Sequence, residues 1–209
     1  MTIFLHCEGI TDFVVIPLLI KNACNMPNVN IQWIKRNELN NFRIHPKQGD
    51  RITKHYKLIT ALTGIALKNE CKNIAYHQDA DGNYSEVYEA ITSRFQSLKE
   101  GGFHCLCIVP KETIESWLLA DEKAYPSIPD KPKLPSKPEE LWGRRRDKNS
   151  NHPYNYFVRV LDQFRLPDNR DTYTQIAKKT SIEVLKFRCH ESFGQFYRDL
   201  QEFGDNLTG

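Results

Sequence analysis

The stretch Asn73-Ile74-Ala75-Tyr76-His77-Gln78-Asp79-Ala80-Asp81-Gly82 decides the fold. Its first five residues read as a buried strand, and Asp79-Ala80-Asp81-Gly82 ends that strand with residues that favour turns. Helical periodicity then takes over from about Ser85 to Leu98. A strand that stops on acidic residues and hands over to a helix is the building unit of an α/β sheet.

The unit recurs on both sides. Upstream, residues 2–7 form a short apolar run that ends at Glu8-Gly9. A helix follows, which Thr11 or Asp12 can cap by accepting from free N–H groups of its first turn. A second strand is predicted over residues 29–34, and a helix over residues 52–68 with Tyr56, Ile59, Leu62 and Ile65 on one face. Downstream, residues 103–109 read as a buried strand, and Pro110 leads into a helix over about residues 113–120. Strands alternating with helices in this way predict an α/β core with a roughly four-stranded, mostly parallel sheet flanked by helices.

Beyond residue 121 the character changes. Pro126, Pro129, Pro132, Pro135 and Pro138 oppose regular structure, so residues 122–153 read as a Pro-rich basic arm or loop. Residues 154–164, 172–179, 182–187 and 191–203 regain helical periodicity. The chain therefore divides into a core over residues 1–121, the arm, and a C-terminal helical extension over 154–209 packed on the core.

Composition excludes several classes. The 209 residues are 40% hydrophobic and 26% charged, an ordinary recipe for one sizeable core. No apolar run approaches the ~18 residues that a bilayer crossing needs, so no membrane partner is expected. At the N-terminus, Ile3-Phe4-Leu5 is interrupted by His6, Cys7, Glu8 and Asp12 without a cleavage-site pattern, which argues against export and for a cytoplasmic protein. The six cysteines contain no C-x-x-C pair and read as reduced, mostly buried thiols. A net charge of +3, from 29 basic and 26 acidic residues, gives no bulk attraction to nucleic acid. Such binding has to rest on a local patch.

The acids at the strand ends carry the chemistry. In open α/β sheets, residues just beyond strand C-termini converge on one crevice. Here Glu8 follows the first strand, Asp79 and Asp81 the third, and Glu112 and Glu115 the fourth. Crowded carboxylates repel one another, and a Mg²⁺ or Mn²⁺ ion relieves that repulsion. One such acid alone is more often a cap or a solvated loop residue, whereas three strand ends in register argue for a site. An EF-hand is excluded, because its Gly and Glu positions counted from Asp79 fall on Tyr84 and Ala90. Neither G-x-x-x-x-G-K-[ST] nor G-x-G-x-x-G occurs. His6, His77 and His104 lack metal-ligand spacing and read as core histidines.

The segments F-L-H-C-E-G-I-T-D, with Glu8, and N-I-A-Y-H-Q-D-A-D-G, with Asp79 and Asp81, resemble the Toprim domain of topoisomerases, primases, small nucleases and OLD-family nucleases. P-K-E-T-I-E-S-W-L-L-A-D and R-C-H-E-S-F-G-Q-F-Y-R-D-L are similar to segments of an uncharacterised bacterial group of Toprim-like proteins. The resemblance implies that Glu8, Asp79 and Asp81 hold one or two Mg²⁺ or Mn²⁺ ions. Of the two acids after the fourth strand, Glu115, one helical turn into the following segment, is chosen as the additional catalytic acid, with capping or a solvent-facing place left to Glu112, and the sequence leaves the choice between them open. It implies a nuclease acting on DNA or RNA, an effector in anti-phage defence with an ATPase or other defence-system protein as partner. The alternatives are a non-catalytic subunit that docks an ATPase, and a phosphohydrolase of small esters.

The candidate substrate contacts are basic. Lys131, Lys133, Lys137, Arg144, Arg145, Arg146 and Lys148 populate the arm, interleaved with Trp142, Tyr154 and Tyr156. Cationic side chains neutralise phosphates while aromatic faces stack on unpaired bases. Lys111 and Arg144 to Arg146 are the chosen substrate-binding residues, and Lys35, Arg36, Arg43, Lys47, Arg51 and Lys54 form a second basic group. The competing reading of the arm is a solvated, flexible charge run.

Overall fold

The structure is a computed structural model describing residues 1–24, 28–40 and 51–208. Its centre is a sheet of four parallel strands: β1 (Thr2–His6), β2 (Asn30–Trp33), β3 (Asn73–His77) and β4 (His104–Ile108). Their spatial order is β2-β1-β3-β4. The register pairs Phe4 with Ile74 across β1 and β3, and Asn73 with His104 across β3 and β4. Parallel neighbours require crossovers, which α1 (Ile10–Cys24), α3 (Arg51–Lys68) and α4 (Tyr84–Glu100) supply. A short helix that the periodicity did not predict, α2 (Arg36–Asn40), follows β2.

Period-two alternation divides the buried side chains between two faces. Ile3, Leu5, Ala75, Leu106 and Ile108 face one core cluster together with α1. Phe4, Ile74, Tyr76, Cys105 and Cys107 face the other, beneath α3 and α4. On α3 the predicted stripe is rotated. Tyr56 is half exposed, and the inward positions are His55, Leu58, Ile59, Leu62 and Ala66. Tyr56 instead carries the Arg94 guanidinium over its ring at 4.2 Å.

After β4 comes a single-turn helix, α5 (Glu115–Leu118), and after the arm α6 (Pro153–Gln163), α7 (Arg170–Lys179), α8 (Ile182–Arg188) and α9 (Ser192–Thr208). Phe157, Tyr173, Leu185, Phe193 and Phe196 from these helices lie in the same cluster as β1, α1 and Trp117. Trp117 ties the two parts together, since its indole N–H donates to Ser192 Oγ at 2.8 Å and its ring stacks on Phe196. Large aromatic side chains with a satisfied polar edge supply both area and orientation.

Residues 122–153 are largely irregular, with single 3₁₀ turns at Glu122–Ala124 and Pro138–Glu140. The irregular chain is nevertheless anchored. The Arg188 guanidinium donates to the carbonyls of Ala120 and Pro135, and the buried Glu139 carboxylate accepts from the backbone N–H groups of Glu191 and Ser192. All six cysteines are free. Among the described residues no helix is long and apolar enough to cross a membrane.

Candidate functional site

The strand order reverses between β1 and β3. The connection from β1 runs outward to β2, and that from β3 runs the opposite way to β4. Loops leaving the carboxyl ends of two such strands part from each other and open a crevice. Glu8 leaves β1 at that point, and Asp79 and Asp81 leave β3. Together with His55, Gln78, Ala80 and Val87 they line a cavity of about 130 Å³.

The turn after β3 is fixed from below. Backbone N–H groups of Gln78, Ala80, Asp81 and Gly82 donate to the carbonyls of Ile108, Pro110, Glu112 and Lys111. Asp81 and Gly82 both adopt positive φ, +48° and +82°, which lets the turn close tightly. Asp81 and Glu8 are exposed, whereas the Asp79 side chain is only 13% exposed.

Behind Asp79 stands a group that the sequence reading assigned to the core. His77 is fully buried, with Nε2 at 3.3 Å from Asp79 Oδ1 and Nδ1 at 3.8 Å from Asp12 Oδ2. These are charge contacts, since both ring nitrogens and Asp79 Oδ1 are buried without a hydrogen-bond partner. Burial presses the imidazole toward its neutral form, but the Asp12 and Asp79 carboxylates outweigh it and raise the group. Burial likewise raises Asp79, against the pull of His77. Asp12 is not the helix cap. It lies inside the first turn of α1 and accepts from the Gly9 N–H at 2.7 Å, the reach-back half of a capping box. The detectable signal was His77-x-Asp79, which puts both side chains on one face of a strand end.

The fourth strand contributes two acids in different places. Glu115 is buried, and Tyr173 donates its hydroxyl to Oε1 at 3.1 Å. Burial raises its carboxyl, opposed by neighbouring hydrogen bonds, while the Asp12 charge raises it further. Glu112 packs on the turn, with Oε1 3.1 Å from where a Cβ on Gly82 would stand. Burial and then Asp81 raise it too. Glu115 thus belongs with Asp12 and Asp79, and Glu112 with Asp81.

Of the chosen cationic residues, Lys111 lies 2.7 Å from Glu191 in a surface ion pair. Arg144, Arg145 and Arg146 are exposed, on a turn whose carbonyls are gathered by the buried Asn155 amide, which donates to Arg145 at 3.0 Å and Asp147 at 2.7 Å. Arg145 lies over Tyr154 at 4.7 Å. The neighbouring His152 is lowered by burial and by Arg145 and raised by Asp81, so the arginine turn and the acidic turn act on one imidazole. In the second basic group, Lys35 lies over Trp33 at 5.4 Å. Arg43 and Lys47 lie outside the described residues, as do the side chains of Arg51 and Lys54.

Whether these residues suit a divalent cation rests on their donors. Among the described residues no three His, Cys, Asp or Glu side chains form a ready-made ligand group. Mg²⁺ does not require one, because it commonly takes one or two carboxylates and completes its shell with water and phosphate oxygens. Asp79, partly exposed although its Oδ1 is turned to His77, lines one cavity with the exposed Glu8 and Asp81, and these acids offer the one or two carboxylates that such an ion needs. Compared with protein-family models, with curated proteins and with solved structures, the chain matches none.

Proposed function

We propose that the protein is a Toprim-like nuclease dependent on Mg²⁺ or Mn²⁺, with Glu8, Asp79 and Asp81 as the metal-holding acids. The observation that carries this reading is that Glu8, Asp79 and Asp81 line one cavity at the switch point of the sheet. A bound divalent ion supplies polarisation of a phosphodiester oxygen and a lowered pKa for a coordinated water. The chain supplies the rest. His77 holds Asp79 in place from inside the core. Glu115, the additional acid of this reading, is buried against Tyr173 and is not among the residues that line the cavity. Arg144, Arg145 and Arg146 offer cations to the phosphates on either side. The same reading places the protein in the cytoplasm, as an effector of anti-phage defence with an ATPase or other defence protein as partner.

The test is cleavage of single- and double-stranded DNA and RNA in Mg²⁺, Mn²⁺ or EDTA. Wild-type protein cleaves at least one of them only with metal, and Glu8→Ala and Asp81→Ala abolish cleavage. An inert wild type, or activity that survives both substitutions, overturns the proposal. Thermal melting with Mn²⁺ gives an independent readout, because an ion that binds only the folded state raises Tm in wild type and not in the variants.

A further inference from the structure

Trp142 is 76% exposed, in a chain that buries Trp117 completely. An exposed tryptophan on a floppy segment means little, but this one sits at the edge of a fixed turn. Gly143, the next residue, packs so closely that an added Cβ would meet Ser150 Cβ at 2.9 Å and the His152 nitrogen at 3.1 Å. Asp147 N–H donates to Arg144 O, Ser150 N–H to Asp147 O, and the Ser150 hydroxyl to Arg144 O. Arg159 adds bonds to the carbonyls of Lys148 and Ser150. The turn therefore presents Trp142, Arg144, Arg145, Arg146 and Lys148 outward from a backbone that is already ordered. Preorganisation lowers the entropy lost on binding.

The surface combines two recognition chemistries. Guanidinium and ammonium groups meet phosphates, and a free indole face meets a base. The second contact discriminates, because in a duplex each base face is covered by its neighbours and only base edges remain accessible.

We infer that Trp142 and the Arg144–Arg146 turn form a binding platform for single-stranded nucleic acid, on which an unpaired base stacks against the indole while the arginines hold the adjoining phosphates. This rests on the nuclease reading for its biological sense and names the form of substrate that reading leaves open. Binding itself needs no metal, which makes the two separable.

The experiment measures fluorescence anisotropy of labelled oligothymidylate, oligouridylate and a mixed-sequence DNA duplex, in EDTA. Wild type binds a single strand at least about tenfold more tightly than the duplex, and Trp142→Ala lowers that affinity about tenfold with little change for the duplex. Trp142→Phe restores most of it. Replacing Arg144, Arg145 and Arg146 together by Ala weakens both kinds of binding and flattens the salt dependence. The oligothymidylate and oligouridylate arms assign the platform to DNA, RNA or both. Equal affinity for single strand and duplex, absence of binding in EDTA, or a Trp142→Ala protein that binds as wild type overturns the inference. If Trp142-dependent binding occurs without cleavage in Mg²⁺ or Mn²⁺, the platform stands and the nuclease reading falls. If cleavage occurs and Trp142→Ala binds and cleaves like wild type, the reverse holds.

Discussion

His77 Nε2 faces Asp79 Oδ1 at 3.3 Å, inside a core where the histidine has no access to solvent. That contact is local to the end of β3, whereas the second contact of the imidazole, with Asp12, exists because β1 and β3 are neighbours, which brings α1 over the same face of the sheet. Two carboxylates therefore share one imidazole.

Removing His77 leaves both acids facing an unfilled, uncompensated space. Breaking one partner out of a buried charge cluster costs about 3 kcal/mol or more. His77→Ala is thus expected to lower the urea midpoint strongly. Pairing it with Asp79→Asn, which removes charge but keeps shape, costs less than the sum of the two single changes. An additive double variant shows that the two side chains do not interact.

Glu115 gives a prediction with a definite sign. Burial raises its carboxyl above the ordinary value of 4.5, so the folded state favours the protonated form. The stability it confers is full below pH 4.5 and is lost as pH rises through the folded-state value. Glu115→Gln keeps an acceptor for the Tyr173 hydroxyl and carries no charge. The variant should melt like wild type near pH 4 and a few degrees higher at pH 8, while any cleavage activity falls. A lower melting temperature at pH 8 contradicts the argument.

Much of this arrangement was readable from residue order. Apolar runs that stop at Glu8-Gly9, at Asp79 and before Pro110 located the strands and the acids beyond them, because a strand and the turn that ends it are local. The pairing of Asp12 with His77 was not readable. It depends on which strands are adjacent, and a histidine in an apolar run looks like packing until a neighbouring helix places a carboxylate beside it. The face of α3 was misjudged for a related reason. Tyr56 satisfies the helical period, yet His55 turns inward to meet the Tyr76 hydroxyl at 3.1 Å, and Arg94 occupies the Tyr56 ring outside.

The order of the arm was equally hidden, because its anchors come from far along the chain. Glu139 is one of them. Its buried carboxylate accepts the backbone N–H groups of Glu191 and Ser192 at 3.1 and 2.9 Å, together with the Ser192 hydroxyl, at the N-terminus of α9. Negative charge is favoured there by the free N–H groups and the helix dipole. Glu139→Ala should cost about 2 kcal/mol in chemical denaturation. Glu139→Gln, which keeps an acceptor, should recover part of that. If Glu139→Ala unfolds like wild type, the carboxylate does not hold the arm to the helix.

Gly143 tests whether the arginine turn is ordered by its own packing. Its φ of +154° lies where side chains are disfavoured, and a Cβ would stand 2.9 Å from Ser150 Cβ. The obstacle is another main-chain-borne carbon, not the end of a flexible side chain, so the turn has to open to admit a methyl group. Gly143→Ala should cost about 2 kcal/mol of stability. The loss falls on the turn, with faster amide hydrogen exchange at Asp147 and Ser150, whose N–H groups donate within it. Exchange in β1 and β3 should stay at the wild-type rate once the change in global stability is subtracted. Unchanged protection at Asp147 and Ser150 means that Asn155 and Arg159 hold the turn without the glycine. In that case the presentation of Trp142 and the arginines depends on those two side chains alone.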